Sequence, residues 1–200
     1  MQSNNKLTYI KINPLDLKYK WNNIKNKQQV VKFYSLKNGK YICFSNFYKH
    51  EPFEFIIPEW CGKFANTKVS VEFSEKAIML CKASLFSDSD IFNKIIQTNI
   101  PIETKKLGRK SKFDQKIWDE NICNIAKTVI YQKFSSIQEF KEILIGTEKL
   151  IIAETAPRDK IWGIGMGKNN ENSDYPEKWK GYNILGWALM EARSILMNST

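Results

Sequence analysis

The densest group of residues that could do chemistry lies in residues 154–168, whose sequence is ETAPRDKIWGIGMGK. Asp159 supplies a carboxylate, Arg158 a cation and Trp162 a large flat ring, a combination suited to gripping a sugar phosphate or a stacked base. Asp159 could equally cap a turn. Three glycines at alternate positions would let the backbone approach a ligand closely. Their spacing matches neither a Walker A loop nor a dinucleotide fingerprint, so a simple turn is the first interpretation of the glycines.

Two further segments carry polar groups that could meet a substrate. Asn46, within the run FSNFY, offers one acceptor and two donors that could fix a ribose or an amide, although an Asx turn at a strand end explains it as well. Glu75 lies in the first turn of a predicted helix, where a carboxylate also interacts favourably with the helix dipole. Lys82 lies two turns further along the same face. This spacing would let Glu75 and Lys82 face one cleft.

The composition limits the other kinds of chemistry that are available. The chain has 200 residues, of which 42% are hydrophobic, enough for one core of ordinary size. His50 is the single histidine, and the cysteines are spread at Cys43, Cys61, Cys81 and Cys123 without a C-x-x-C pair. A multi-histidine metal centre is therefore excluded, and we expect reduced thiols, no metal and no cofactor. Catalysis would depend on carboxylates, lysines, arginines or aromatic rings.

Hydropathy and the distribution of charge predict where the protein is located and how the chain is divided. No apolar run reaches the roughly 20 residues needed to cross a bilayer, and the first residues lack the features of a secretory signal, so we expect a cytoplasmic protein with no membrane partner. Residues 1–32 hold seven lysines and one acidic residue, out of a net charge of +10 for the chain. This segment could bind nucleic acid, but a composition rich in Lys, Asn and Ile explains it equally. We predict a loosely docked basic extension over 1–32 and a domain over 33–200.

The pattern of apolar residues predicts the elements that position these groups. Between residues 30 and 73 the runs VVKFY, KYICF, FEFII and VSVEF predict short strands of one small sheet. Helical spacing follows, with predicted starts at Ser74, at Asp88 or Ser89, and at Pro101. A long helix over 114–134, another ending at Gly146, a strand at 150–154 and a final helix over 183–196 complete the chain. The fold class is α+β, a mostly helical single domain with a small β-sheet.

Short motifs in a fixed order extend over residues 33–196. They are Phe33-Tyr34, Phe44-Ser45-Asn46-Phe47, Ser74-Glu75-Lys76 with Lys82, Leu107-Gly108-Arg109, Trp118, Asp159-x-x-Trp162-Gly163-x-Gly165, Gly181-x-Asn183-x-Leu185-Gly186 and Leu189-Met190-Glu191-x-Arg193. In this order and spacing they resemble the NADAR (YbiA-like) family. The resemblance implies a mostly helical α+β fold and N-glycosidase activity. Some members hydrolyse the ribosyl C–N bond of early riboflavin-pathway intermediates, and others release ADP-ribose from modified guanine.

The resemblance also implies a role for each matching position. Glu75 corresponds to the catalytic glutamate, Trp118 to a pocket tryptophan, and Asp159 and Trp162 to the acidic and aromatic members of the D-x-x-W-G loop. Lys76 stands where relatives commonly have histidine, which predicts a difference in specificity. The remaining positions implied to bind substrate are Asn46, Phe47, Arg109, Gly163, Gly165 and Asn183. The implied partner is a ribosyl-phosphate or ADP-ribosyl small molecule, with ADP-ribosylated DNA as a further candidate.

The residues permit a mechanism for cleaving an N-ribosidic bond, which breaks through an oxocarbenium-like state. Our hypothesis gives Glu75 the task of activating water or handling the proton, while Asp159 stabilises the developing positive charge. Trp118 and Trp162 would hold the base or sugar by stacking. Lys82 and Arg109 would meet phosphate oxygens. In a second route, Lys82 attacks the opened sugar aldehyde and forms a Schiff base.

A non-catalytic reader of ADP-ribose or nucleic acid is the alternative function. Such a reader would use the same cleft together with the basic extension. The presence of both Glu75 and Asp159 favours the enzyme, because a pure binder of anions has little use for two carboxylates in its cleft.

Overall fold

A computed structural model describes residues 7–34 and 39–198 of the chain. The helices are α1 (Pro14–Asn22), α2 (Ser74–Leu85), α3 (Ser89–Gln97), α4 (Pro101–Lys110), α5 (Gln115–Ser136), α6 (Gln138–Ile145) and α7 (Ile184–Asn198). The strands are β1 (Val30–Phe33), β2 (Phe53–Ile56), β3 (Lys68–Val71) and β4 (Ile151–Glu154). The predicted fold class, α+β and mostly helical, is confirmed. No helix within the described residues is both long and apolar enough to cross a membrane.

Local sequence signals set where most of these helices begin. The Asp88 side chain accepts a hydrogen bond from the Ile91 amide and caps α3, and Asp114 caps α5 in the same way through Ile117. Pro101 occupies the first turn of α4, as predicted. The prediction that Ser74 caps α2 is wrong, because Phe73 precedes the helix without a side-chain cap and Ser74 is already helical.

The β-structure differs in detail from the predicted single sheet. The described strands form two separate pairs, with β1 parallel to β4 and β2 antiparallel to β3. The run KYICF, predicted as a strand, instead forms a 3₁₀ turn at Ile42–Phe44. There the Phe44 ring packs on Phe134, and the Lys133 ammonium donates to the Cys43 carbonyl at 2.7 Å. Aromatic residues in this run are therefore core residues whose backbone is held by a helix side chain rather than by a neighbouring strand.

The packing of the helices leaves a space next to the C-terminal end of strand β4. Helices α5 and α7 pack against each other, and β4 packs against α7. Helix α2 packs against α5 on one side and against α3 and α4 on the other. As a result, α2, α4, the start of α5 and the segment that follows β4 surround a common space.

The N-terminal segment is part of the core, in contrast to the predicted loose docking. Leu17 is fully buried and Trp21 is 1% exposed. The Trp21 indole N–H donates to the Tyr182 carbonyl at 2.6 Å, and its ring packs on that of Trp179 at 5.3 Å. Strand β1 begins at Val30 and so runs across the predicted boundary between residues 32 and 33. The first six residues of the predicted extension lie outside the described residues.

We predict that helix α1 contributes directly to stability. Leu17→Ala should lower the free energy of unfolding by about 2–5 kcal/mol, because it leaves a cavity under a fully buried side chain. Leu15→Ala on the same helix is the matched control, since Leu15 is 68% exposed and should change stability by less than about 0.5 kcal/mol. Urea unfolding measures both. Equal, small effects would show that α1 is dispensable to the core.

Candidate active site

One cleft of about 890 Å³ collects most of the sequence-predicted site residues. Its volume lies within the range of roughly 300–1,000 Å³ that is usual for small-molecule sites. Five cationic side chains and three carboxyl groups line it together with five aromatic rings. The predicted residues that it brings together are Phe47, Glu75, Lys82, Arg109, Trp118, Asp159 and Trp162. These come from five parts of the chain that are distant in sequence.

Glu75 lies in the first turn of α2 and is 2% exposed. Its backbone N–H donates to the Asn46 carbonyl at 2.9 Å, which fixes the start of the helix against the FSNFY segment. Burial raises the pKa of the Glu75 carboxyl to about 7, with Asp159 raising it further while Lys105 and Arg109 lower it. A carboxyl with this pKa can hold or release a proton near neutral pH, which is the property that a general acid or base needs.

Asp159 combines the two roles that the sequence left open. One carboxyl oxygen accepts from the backbone N–H groups of Ile161 and Trp162, at 2.9 and 2.8 Å. It therefore closes the turn that brings the Trp162 side chain to the cleft. Asp159 itself also lines the cleft, and its charge raises the pKa of the Glu75 carboxyl. The turn thus holds a carboxylate at the edge of the site.

Cationic and aromatic side chains form the wall made by α2, α4 and α5. The Lys82 ammonium lies 3.6 Å from the centroid of the Phe113 ring and 5.3 Å from that of Trp118. Burial, followed by the charge of Arg109, lowers the pKa of Lys82. The ring faces act against this effect because they stabilise a nearby cation. This wall is suited to an anion that also carries a flat ring.

Glu154 and Lys105 are among the cleft residues that were not predicted as site residues from the sequence. Glu154 is the last residue of β4, and its Oε2 atom is buried and without a hydrogen-bond partner among the described residues. Lys105 lies one helical turn before Arg109, with its ammonium 5.2 Å from the Phe47 ring centroid. Two signals could have found them. The first is an acidic residue ending an otherwise apolar strand, and the second is a basic residue four positions from a predicted site arginine.

Four of the residues predicted to bind substrate are not among those that line the cleft. Asn46 offers its backbone to Glu75, and its buried side-chain oxygen has no hydrogen-bond partner within the described chain. Asn183 uses its amide oxygen to accept from the Glu154 N–H at 3.1 Å and its amide nitrogen to donate to the Ile152 carbonyl at 2.9 Å. Its side chain is therefore engaged with β4.

The other two are glycines that allow backbone to pack on backbone. A Cβ atom at Gly163 would lie 2.7 Å from the Glu154 carbonyl oxygen. Gly165 adopts a φ of +69°, in the left-handed region that favours glycine. The close approach inferred from the sequence is real, but its partner is the protein's own chain.

Lys76, the predicted departure from the family pattern, lies away from the cleft. Its ammonium donates to the Asn99 side-chain oxygen at 2.9 Å, and both residues line a separate groove. Among the described residues, no group of three or more His, Cys, Asp or Glu side chains could hold a metal ion.

The fold and the cleft together define a class of protein: an α+β domain with one cleft lined by carboxyl groups, cations and aromatic rings. Comparisons with known proteins narrow this class. The NADAR domain profile matches residues 32–197, and the chain therefore belongs to the NADAR family.

The relatives and a solved structure agree with this assignment. Protein irg-1 of Caenorhabditis elegans is 32% identical over 160 residues, which cover 76% of this chain and 74% of that protein. N-glycosidase R617 of Acanthamoeba polyphaga mimivirus is 31% identical over 165 residues, covering 79% and 97%. The NMR structure of the E. coli protein YbiA superposes with a TM-score of 0.64 at 24% identity, covering 86% of this chain and 88% of that one. The predicted YbiA-like fold is thereby confirmed.

We predict a pH-dependent stability difference that originates at Glu75. Its folded-state pKa of about 7 exceeds the ordinary value of 4.5, so its stabilising contribution is complete below about pH 4.5 and is lost as pH rises through 7. Glu75→Gln stays neutral and keeps that contribution. At pH 8 the variant should exceed the wild type by up to about 3 kcal/mol in free energy of unfolding, and at pH 4 the two should coincide.

Denaturant unfolding at both pH values measures this difference. Glu171→Gln, at an exposed position, is the matched control and should follow the wild type throughout. A Glu75→Gln variant that is less stable than the wild type at pH 8 would contradict the assignment of a desolvated carboxyl.

Proposed function

We propose that the protein hydrolyses the bond between a ribosyl carbon and a nitrogen in an anionic N-riboside. The observation that carries this proposal is that Glu75 and Asp159, distant in the sequence, line one cleft with cations and aromatic rings. Membership of the NADAR family supports the enzyme class, a hydrolase of N-glycosyl compounds. So does the similarity to mimivirus R617, a relative named an N-glycosidase.

The carboxyl groups supply what cleavage of an N-ribosidic bond requires. Water needs a base as it attacks the sugar, and the positive charge that develops at the anomeric carbon needs a nearby negative charge. Glu75 fits the first task, because its pKa of about 7 makes it a base strong enough to take a proton from water in the transition state. Asp159 fits the second, because the turn around it fixes its carboxylate at the cleft.

The cations and rings support the choice of an anionic substrate with a flat base. Lys82, Lys105 and Arg109 come from α2 and α4, and Arg158 and Lys160 from the loop after β4. Such a set suits phosphate oxygens, while Trp118 and Trp162 suit stacking on a base. Phosphoribosylaminopyrimidine intermediates of the riboflavin pathway and ADP-ribosylated guanine, free or in DNA, both have these features. We also propose a cytoplasmic location, in keeping with four free buried cysteines.

We propose the acid–base route ahead of an imine on Lys82, because Glu75 and Asp159 supply both the base and the negative charge that the acid–base route needs. A nucleophilic lysine must be neutral. Burial and Arg109 lower the pKa of Lys82 toward that form, whereas the Phe113 ring, 3.6 Å from the ammonium, favours the charged form. A non-catalytic reader of ADP-ribose or nucleic acid is also less well supported, because burying carboxyl groups in an anion site weakens anion binding.

We predict that the purified protein releases sugar from an aminopyrimidine ribosyl phosphate or from ADP-ribosylated guanosine, or from both. Glu75→Gln should lower kcat by about 10²- to 10⁴-fold with little change in KM, because it removes an interaction that acts in the transition state. Trp118→Ala should raise KM and lower kcat. Chromatographic detection of the freed sugar and base measures all three proteins.

Several results would contradict this proposal. Binding of both ligands without sugar release would favour the reader. Near-normal kcat in Glu75→Gln would remove the assigned base. Covalent capture at Lys82 after borohydride treatment would support the imine route instead.

We predict a separate role for the cationic wall. Arg109→Gln should raise KM at least tenfold for a phosphorylated N-riboside and have little effect on the same riboside without phosphate. Lys112→Gln is the matched control, because Lys112 is exposed, close in sequence and outside the cleft lining. Steady-state kinetics on the paired substrates measures the difference. Equal losses on both substrates would contradict a phosphate-binding role for Arg109.

A further inference from the structure

Among the described residues, Glu154 is the cleft carboxyl to which the proposed mechanism gives no role. It lines the same space as Glu75 and Asp159 and comes from a third element, the end of β4. Its Oε2 atom is buried and has no hydrogen-bond partner among the described residues. A buried polar atom without a partner costs free energy, so such atoms concentrate where a ligand completes them.

Both the backbone N–H and the backbone carbonyl of Glu154 are hydrogen-bonded to surrounding residues. Its N–H donates to the Asn183 side-chain oxygen at 3.1 Å, and its carbonyl accepts from the Ile164 N–H at 2.9 Å. Gly163 permits this approach, since any Cβ there would collide with the same carbonyl. Asn183 and Gly163, both members of the family motifs, are therefore positioning residues for Glu154. A residue whose backbone is fixed in this way at the wall of a cleft is typical of an active-site group.

We propose that Glu154 is the proton donor to the leaving nitrogen in the reaction proposed above. This inference rests on the proposed function and adds a catalytic residue to it. As the C–N bond breaks, its electron pair goes to the nitrogen, which takes the proton from the Glu154 carboxyl. Water forms the new C–O bond and gives a proton to Glu75. The products are a free sugar hydroxyl and a base with an N–H group, and one proton passes back from Glu75 to Glu154 before the next turnover.

The charges around Glu154 are consistent with this role. Burial is the main cause that raises the pKa of its carboxyl to about 8, and the charges of Asp159 and Glu75 raise it further. Lys105, from α4, acts in the opposite direction. Tyr34, which follows the neighbouring strand β1, also lines the cleft. Glu154 therefore keeps its proton at neutral pH, while Glu75 gives up its proton at lower pH. Two neighbouring carboxyls whose surroundings raise both pKa values toward neutrality are typical of an acid and base pair.

The experiment compares wild type, Glu154→Gln and Glu154→Asp on whichever N-riboside the wild type cleaves. The wild type should show a bell-shaped dependence of kcat/KM on pH, falling below about 7 as Glu75 is protonated and above about 8 as Glu154 ionises, since kcat/KM reports the pKa values of the free enzyme. Glu154→Gln should lower kcat by about 10²- to 10⁴-fold, leave KM nearly unchanged and lose the fall at high pH. Glu154→Asp, which keeps an acid, should recover part of the rate and the high-pH fall.

A second substrate separates proton donation from a structural role. A 4-nitrophenyl riboside phosphate releases a phenolate that needs no proton. On it Glu154→Gln should be nearly as fast as the wild type, while Glu75→Gln stays impaired. A high-pH fall that persists in Glu154→Gln, or an equal loss on both substrates, would overturn the role of Glu154 alone. A wild type that cleaves no N-riboside would instead overturn the proposed function itself.

Discussion

The removal of carboxyl groups from water is the constraint on which the cleft depends. Glu75 is almost completely buried, and one oxygen of Glu154 is buried without a partner among the described residues. Each of these carboxyls would be costly as an isolated ion. Lys105 and Arg109 reduce that cost for Glu75, but burial still dominates its pKa. The cleft thus holds carboxyl groups whose pKa values lie near neutrality, an arrangement that costs stability and is typical of functional sites.

The glycine-rich segments make sense as the support for this arrangement. Gly163, Gly181 and Gly186 each occupy a place where a Cβ atom would lie within 2.7 Å of a backbone oxygen. The oxygens belong to Glu154, to Gly163 and to Ile152 respectively, so three glycines bring two loops and α7 onto the end of β4. The glycines of this motif therefore contact the protein's own backbone. They fix the position of residues that line the cleft, Glu154 among them.

Periodicity and capping residues predicted the helices well, because α3, α4 and α5 start at signals contained within a few residues. The predictions of local structure were wrong where contacts between residues distant in the sequence determine the backbone conformation or the burial. The run KYICF has the composition of a strand, but Lys133, ninety residues away, binds its backbone and fixes a turn instead. Trp21 was assigned to a loose extension because α1 has no sustained apolar period, yet its burial comes from residues near 180.

In the candidate site, too, some residues could be predicted from local motifs and others depend on long-range contacts. Glu75 and Asp159 could be proposed from motifs, whereas Glu154 could not, because an acidic residue at a strand end acquires its meaning only from the groups packed around it. Asn183, in contrast, was predicted to bind substrate from its motif but does not line the cleft. Its type suits a ligand, but both polar atoms of its amide are used on β4.

The order of groups along α2 gives the cleft a direction. Glu75 lies at the start of the helix and Lys82 seven residues on, which separates them by about 10 Å along the axis. Lys105 and Arg109 lower the pKa of Glu75, so cationic charge on α4 also acts on the Glu75 end of the cleft, whereas the rings of Phe113 and Trp118 lie near the Lys82 ammonium. A substrate with its ribose between Glu75 and the end of β4 would extend its anionic or aromatic part toward Lys82. The reverse orientation would place phosphate beside Glu75 and Asp159, and repulsion from their negative charge disfavours it.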